Sequence, residues 1–173
     1  MPLHYKAWTE ALGEHAAKFP EALFYELGGV TTVNIVEMMN ARWGTALPPE
    51  ETAAKKEKLY VQMIPEALPI EPVVELARQY HGHRPMAVAS GGHRRIVLQT
   101  LTALGIVDLF NAIVGAEDYT NGKPAPDPFL EAARRLGVAP ARCLVFEDAQ
   151  PGIDAAKAAG MQYVVVPPPV RKT

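Results

Sequence analysis

Apolar positions recur along this chain with two different textures, and the change falls near residue 68. Before it they follow the three- and four-residue spacing of helices. Ala7, Ala11 and Leu12 share one face. Residues 31–40 (TTVNIVEMMN) open with N-cap chemistry and carry Val33, Val36 and Met39 at helical spacing. Residues 50–64 follow Pro48-Pro49, with Leu59 and Met63 one turn apart. No strand pattern interrupts this stretch. After Pro65 and Pro69 short apolar runs alternate with amphipathic segments. Residues 86–89, 112–114, 144–146 and 163–166 read as buried strands. Residues 73–80, 95–104, 128–136 and 152–159 read as helices. This alternation predicts an α/β fold with a doubly wound, mostly parallel sheet covered on both faces. The expected organisation is a small helical unit over residues 1–67 and an α/β unit over residues 68–173.

Composition narrows the function classes. Of 173 residues, 49% are hydrophobic and 21% charged, which is ordinary for a globular chain and argues against disorder or a coiled coil. A net charge of −2 leaves no basic footprint for nucleic acid. No apolar run approaches the roughly 20 residues of a membrane span. The single Cys143 excludes an intramolecular disulfide and a multi-cysteine zinc site, and its place beside a strand predicts a buried thiol. The opening residues MPLHYK do not form a signal peptide. The expectation is a soluble cytoplasmic protein with neither nucleic acid nor membrane as partner.

In parallel sheets ligands bind beyond the carboxyl ends of the strands, so the residues there carry the candidate chemistry. The first strand runs into Ser90-Gly91-Gly92-His93. A hydroxyl and exposed backbone N–H groups before a helix suit a phosphate, although a tight turn with Ser90 as N-cap has the same pattern. The second leads to Asn121-Gly122-Lys123-Pro124-Ala125-Pro126-Asp127-Pro128, with Asp127 as N-cap and Pro128 at the first helical position. A lysine on so stiff a backbone could offset developing phosphoryl charge, or could be a solvated surface residue. The third ends in Glu147-Asp148. Adjacent acids at a buried strand end need a cation or a lysine between them, and Mg²⁺ meets that need. An acidic turn in which Asp148 caps the next helix is the alternative.

The order Ser, Lys, Glu-Asp at consecutive strand ends resembles the haloacid dehalogenase superfamily of phosphohydrolases, in its β-phosphoglucomutase and fructose-1-phosphate phosphatase branch. VASGG is similar to the second family motif, NGKPAPDPF to the third and LVFEDAQPGIDAAKAAGM to the fourth. The resemblance implies Ser90, Gly91, Gly92 and Lys123 on the phosphate, with Ser90 and Lys123 assisting catalysis. It implies Glu147 and Asp148 at a Mg²⁺ ion. It makes the helical unit a cap inserted into the core, with His4 facing a sugar phosphate and Lys56 reaching its phosphate. Without the resemblance, His4 reads equally as a surface residue at a helix start, and Lys56 as part of a solvated face. Leu27-Gly28-Gly29-Val30-Thr31-Thr32 matches the cap loop that sets substrate specificity. The implied reaction is in-line phosphoryl transfer through an aspartyl-phosphate, ending on water in a phosphatase or on another sugar oxygen in a mutase.

The first family motif, Asp-x-Asp-Gly-Thr, does not occur in these 173 residues. It supplies the nucleophile, the acid–base group and a strand in the middle of the sheet. The expectation is therefore a chain without turnover of its own. Unpaired backbone groups beside the gap, each costing roughly 1–3 kcal/mol when buried, predict marginal stability unless another strand fills it. That strand could come from a preceding segment, a partner or strand exchange. The alternative function is a non-catalytic phosphate- and metal-binding protein. A receiver- or flavodoxin-like module accounts for the alternation but not for these motifs.

Overall fold

The computed structural model describes residues 1–167. Helices alone fill the first part: α1 (Pro2–Leu12), α2 (Glu21–Glu26), α3 (Thr32–Trp43) and α4 (Pro49–Met63), joined by a six-residue 3₁₀ segment, Gly13–Lys18, and by short loops. Proline opens α1 and α4, where its missing N–H is no loss. Thr31 caps α3 as its sequence predicts, the hydroxyl accepting from the Asn34 N–H at 3.4 Å. Trp8, Leu12, Phe19, Phe24, Ile35, Val36 and Met39 form one apolar core, with Trp8 and Phe24 packed obliquely and edge-on around Phe19. Each such side chain contributes roughly 1.5–3 kcal/mol of burial. A second cluster of Ala7, Tyr60, Met63, Ile64 and Ile96 ties α1 and α4 to the α/β part.

That part runs α5 (Glu71–Tyr80), β1 (Ala87–Ala89), α6 (Arg94–Ala103), β2 (Ala112–Val114), α7 (Asp127–Leu136), β3 (Leu144–Glu147), α8 (Gln150–Ala158) and β4 (Gln162–Val165). The four strands do not make one sheet. They form two parallel pairs, β1 with β2 and β3 with β4. The Ser90 N–H donates to Val114 across the first pair, so by alternation the Ala87 and Ala89 backbone groups point away from β2. In the second pair the Cys143 and Glu147 carbonyls accept from β4, which turns the Leu144 and Phe146 backbone groups away from it. One core cluster joins the two pairs, Ala89 packing with Phe129, Val145 and Ala155.

Several expectations change. The last two strands are not buried on both faces. In β3 only Val145 and Glu147 are covered, while Leu144 is 51% exposed, and all of β4 is open, with Val165 at 56%. Helices α7 and α8 pack on one face only, whereas β1 and β2 also have Val74 and Leu101 of α5 and α6 on the other. Asp127 is the first residue of α7 and Pro128 the second; the Asp127 carboxylate instead accepts from the Asn121 backbone and side-chain amides, both at 3.0 Å. Cys143 is half-buried, its thiol 3.6 Å from the Ala139 carbonyl. Among the described residues no helix is long and apolar enough to cross a membrane.

Candidate active site

The carboxyl ends of β1, β2 and β3 converge, and Lys123 lies at their meeting point. It is 6% exposed and comes from the proline-stiffened stretch after β2, with a cis bond to Pro124. Its ammonium donates to the Glu147 carboxylate at 2.6 Å and to the Ala89 carbonyl at 3.3 Å, and it stands 4.6 Å above the Phe129 ring. The chain makes room for it. Gly29 has φ +85, and a β-carbon there would lie 2.7 Å from Lys123 Cδ. Phe129 belongs to the same NGKPAPDPF run, but nothing in its sequence pattern marks it as the ring beneath the lysine.

Glu147 uses both carboxylate oxygens. Oε2 takes the lysine, and Oε1 accepts from the Asp148 and Ala149 N–H groups at 3.0 and 3.2 Å. Burial alone would push its pKa up, but the Lys123 charge and these hydrogen bonds hold it below the usual carboxylate value. Asp148 moves the other way, pushed up first by burial and then by the Glu147 hydrogen bond and charge. Gly152 is required beneath this turn, because a β-carbon there would run into the Glu147 carboxylate.

Donor chemistry is the test for magnesium. Asp148 offers hard oxygen and joins the lysine pair only through Glu147, with the Met1 α-ammonium partly offsetting the burial of its carboxylate. Glu147 already accepts from Lys123 and from two backbone amides of the turn. Among the described residues no three His, Cys, Asp or Glu side chains gather as a metal site. An ion at Asp148 would therefore complete its shell from water, phosphate oxygens or further backbone.

The loop after β1 is folded back on itself. Ser90 Oγ accepts from the Gly92 N–H at 3.1 Å, and Tyr119 donates from its hydroxyl to the Ser90 carbonyl at 3.0 Å. Burial, with Glu117 and Asp118 nearby, pushes that tyrosine up to about 12, so it stays a donor. Ser90 is not the cap of α6, which begins at Arg94. The Arg94 N–H is taken by both oxygens of Glu117 at 3.1 Å. The Gly91 and His93 N–H groups have no hydrogen-bond partner among the described residues. They are the backbone donors this loop can offer an anion. Gly91 is fixed by contact: a β-carbon would collide with the Gly29 carbonyl.

Above the loop a cavity of about 230 Å³ opens between α1, α4 and α6, with His4, Lys56, Ser90, Gly91 and Gly92 in its lining. Lys123 packs behind its wall at Gly29 and is paired there with Glu147. Lys56 is only 6% exposed, although it sits in a run that reads as a solvated face. Its ammonium is 3.1 Å from His4 Nδ1 and lies over the Trp8 and Tyr60 rings at 5.6 and 5.7 Å. Burial brings Lys56 down to about 8. Burial first, and then the Lys56 charge, keep His4 well below 6.5 and therefore neutral. The His4 ring stacks on Tyr60 at 3.7 Å with 9° between planes, and the Tyr60 hydroxyl is 3.1 Å from Thr100 Oγ1. Tyr60 escaped notice in the sequence; its position one turn after Lys56 is the signal that could have found it.

Comparison with known proteins shows the family of the chain. A family model described as haloacid dehalogenase-like hydrolase matches residues 1–160. The fructose-1-phosphate phosphatase YqaB of Escherichia coli is 38% identical over 165 residues, covering 95% of this chain and 88% of that protein. A probable pseudouridine-5'-phosphatase of Drosophila melanogaster is 34% identical, covering 95% of this chain and 75% of its own. The crystal structure of a β-phosphoglucomutase from Clostridium difficile superposes with a TM-score of 0.75 at 28% identity, covering 95% of this chain and 77% of the other. At the family level this is an enzyme of the phosphatase and phosphomutase kind: the chain belongs to the haloacid dehalogenase-like hydrolases.

Proposed function

We propose that this chain carries the phosphate- and cation-binding machinery of a cytoplasmic, Mg²⁺-dependent sugar-phosphate hydrolase with a fructose-1-phosphate-like substrate. One observation carries the reading: a buried lysine, balanced by Glu147, stands beside a loop with unpartnered backbone N–H groups. The similarity to a fructose-1-phosphate phosphatase supports the substrate class.

Each group then has a task. The Ser90 hydroxyl and the Gly91 amide orient phosphoryl oxygens, with Gly92 bracing the serine. Lys123 offsets their charge in a site where water does not screen it. Asp148, backed by Glu147, would hold Mg²⁺, which supplies charge neutralisation at the phosphoryl group when bound. Residues 1–67 act as the cap and residues 68–173 as the core, so that His4 and Lys56 meet the rest of the substrate and exclude bulk water.

The Asp-x-Asp motif that carries the family's nucleophile is not among these residues. In this reading it arrives on a strand between β1 and β3, where the backbone groups of Ala87, Leu144 and Phe146 have no strand partner among the described residues. The test is phosphate release from fructose 1-phosphate and β-glucose 1-phosphate with Mg²⁺. The 173 residues alone are expected to show none. The same residues joined to an N-terminal strand ending in Asp-x-Asp-Gly-Thr are expected to turn over, and to lose that activity with Lys123→Ala. Turnover by the unextended chain would overturn the assignment of the nucleophile. Phosphate binding without turnover in both forms would favour a non-catalytic binding protein.

A further inference from the structure

Resting on the phosphate reading of the loop after β1, we propose that Tyr119 is a positioning residue: its hydroxyl holds the Ser90–Gly91 peptide in the orientation that offers the Gly91 N–H to a phosphoryl oxygen. Tyr119 meets no substrate itself. It acts through one peptide plane.

Covalent geometry makes the link. In a trans peptide the carbonyl of one residue and the N–H of the next lie in one plane and point in opposite directions. The Ser90–Gly91 bond is trans. The Tyr119 hydroxyl donates to the Ser90 carbonyl at 3.0 Å, so the Gly91 N–H is turned away from Tyr119. Ser90, Gly91 and Gly92 line the cavity, and Tyr119 does not. The Ser90 N–H is anchored on Val114 at 3.0 Å, but Gly91 has no side chain to resist rotation and its N–H has no partner among the described residues. The tyrosine hydrogen bond is what fixes the plane between them.

The neighbouring polar groups are taken. The Gly92 N–H donates to Ser90 Oγ at 3.1 Å, and the Gly92 carbonyl accepts from Ala116 at 3.0 Å. The Ser90 hydroxyl proton and the Gly91 N–H remain for an anion. The His93 N–H is also unpartnered, but Glu117 already stands at that end of the loop, 3.4 Å from the His93 ring and on the Arg94 N–H at 3.1 Å.

Charge sorts the two sides of Gly91. It borders a second opening of about 260 Å³ as well, where Glu50, Glu57 and Glu117 repel an anion. The described lining of the first cavity holds Lys56 and Met1, with its α-ammonium, and no carboxylate. Tyr119 is itself braced. Asp118 beside it accepts from the Gly115 N–H at 2.9 Å and pairs with Arg135 at 2.7 Å, and Arg135 reaches the Ile113 carbonyl at 2.9 Å. At neutral pH the hydroxyl keeps its proton, because burial first, and then the Glu117 and Asp118 charges, oppose its loss.

Inorganic phosphate, added to the isotope-labelled chain in Mg²⁺ near neutral pH, is the probe, followed by calorimetry and NMR. In the unsubstituted chain it is expected to shift the Gly91 amide and to leave the Gly92 amide, already bonded to Ser90, nearly unmoved. Tyr119→Phe keeps the ring and removes the hydroxyl. It is expected to weaken phosphate binding by about threefold to tenfold. It is also expected to move the Gly91 amide and the Ser90 carbonyl carbon before any phosphate is added. A general loosening of the fold lowers the urea midpoint but does not single out these two resonances. Unchanged phosphate affinity in folded Tyr119→Phe overturns the positioning role and leaves the phosphate site standing. Phosphate binding by the unsubstituted chain with no response at Gly91 overturns the role without recourse to the variant. An unsubstituted chain that binds no phosphate overturns the site, and the role with it.

Discussion

Lys56 shows how a single residue can be held against its own preference. It is a buried ammonium held against rings and a neutral imidazole, and burial brings its pKa from 10.5 to about 8. The sign of the linkage follows. Between about pH 8 and 10.5 the unfolded chain binds this proton and the folded chain does not, so stability from this group rises with pH across that window. Below pH 8 both states are charged and the folded one bears the desolvation cost, roughly 3 kcal/mol for such a shift. Lys56→Met keeps the length and removes the charge. It is expected to raise stability near neutral pH by about 1–3 kcal/mol and to flatten the rise above pH 8. Urea unfolding at a series of pH values measures both; a variant less stable than the parent at pH 7 would contradict the account. Such a residue is retained at a cost in stability, as expected of a group that meets a ligand.

At the scale of elements, the Glu147 turn and the start of α8 are fitted to each other. Glycine to alanine in an ordinary helix gains about 0.5–1 kcal/mol. At Gly152 the added carbon would enter the Glu147 carboxylate and displace its bond to Lys123. Gly152→Ala is therefore expected to destabilise by about 1–3 kcal/mol, the usual cost of overpacking, as read from chemical denaturation. Much at this scale was legible beforehand. Among the described residues, period and punctuation locate the four strands and seven of the eight helices to within a few residues, because Gly, Pro and the Thr31 cap mark their ends. The exception, α2, spans six residues and holds too few turns to show a period. What periodicity could not show was the open face of β3 and β4. Leu144, Val145, Phe146 and Val164 are apolar on both faces, and only the packing of α7 and α8 tells which face is covered. The depth of Lys56 was likewise hidden, since Lys55 and Lys58 beside it give the run the texture of a solvated face.

For the whole molecule, the division of the sheet into two pairs is the dominant fact. The N–H groups of Val145 and Glu147 point toward β4, whereas those of Leu144 and Phe146 point into the gap. Amide exchange followed by NMR is expected to be much faster at Leu144 and Phe146 than at their two neighbours in β3. Joining a strand at the N-terminus should slow both. Equal protection of all four amides in the unextended chain would mean that the inner edge is already paired. The motifs after the strands told which residues would meet at this end of the molecule. They could not tell that Glu147 would take Lys123 on one oxygen and the Asp148 and Ala149 amides on the other, because that division depends on the backbone of the turn.

Lys123 has one more effect, on the entropy of assembly. By reaching from the Ala89 carbonyl to Glu147, it tethers the ends of β1 and β3 to a common atom. The width of the slot between them is thereby settled when the chain folds, before anything enters it. An incoming segment loses its own freedom but does not have to order two wandering edges as well. In a preorganised slot of this kind, more of the hydrogen-bond energy remains as affinity.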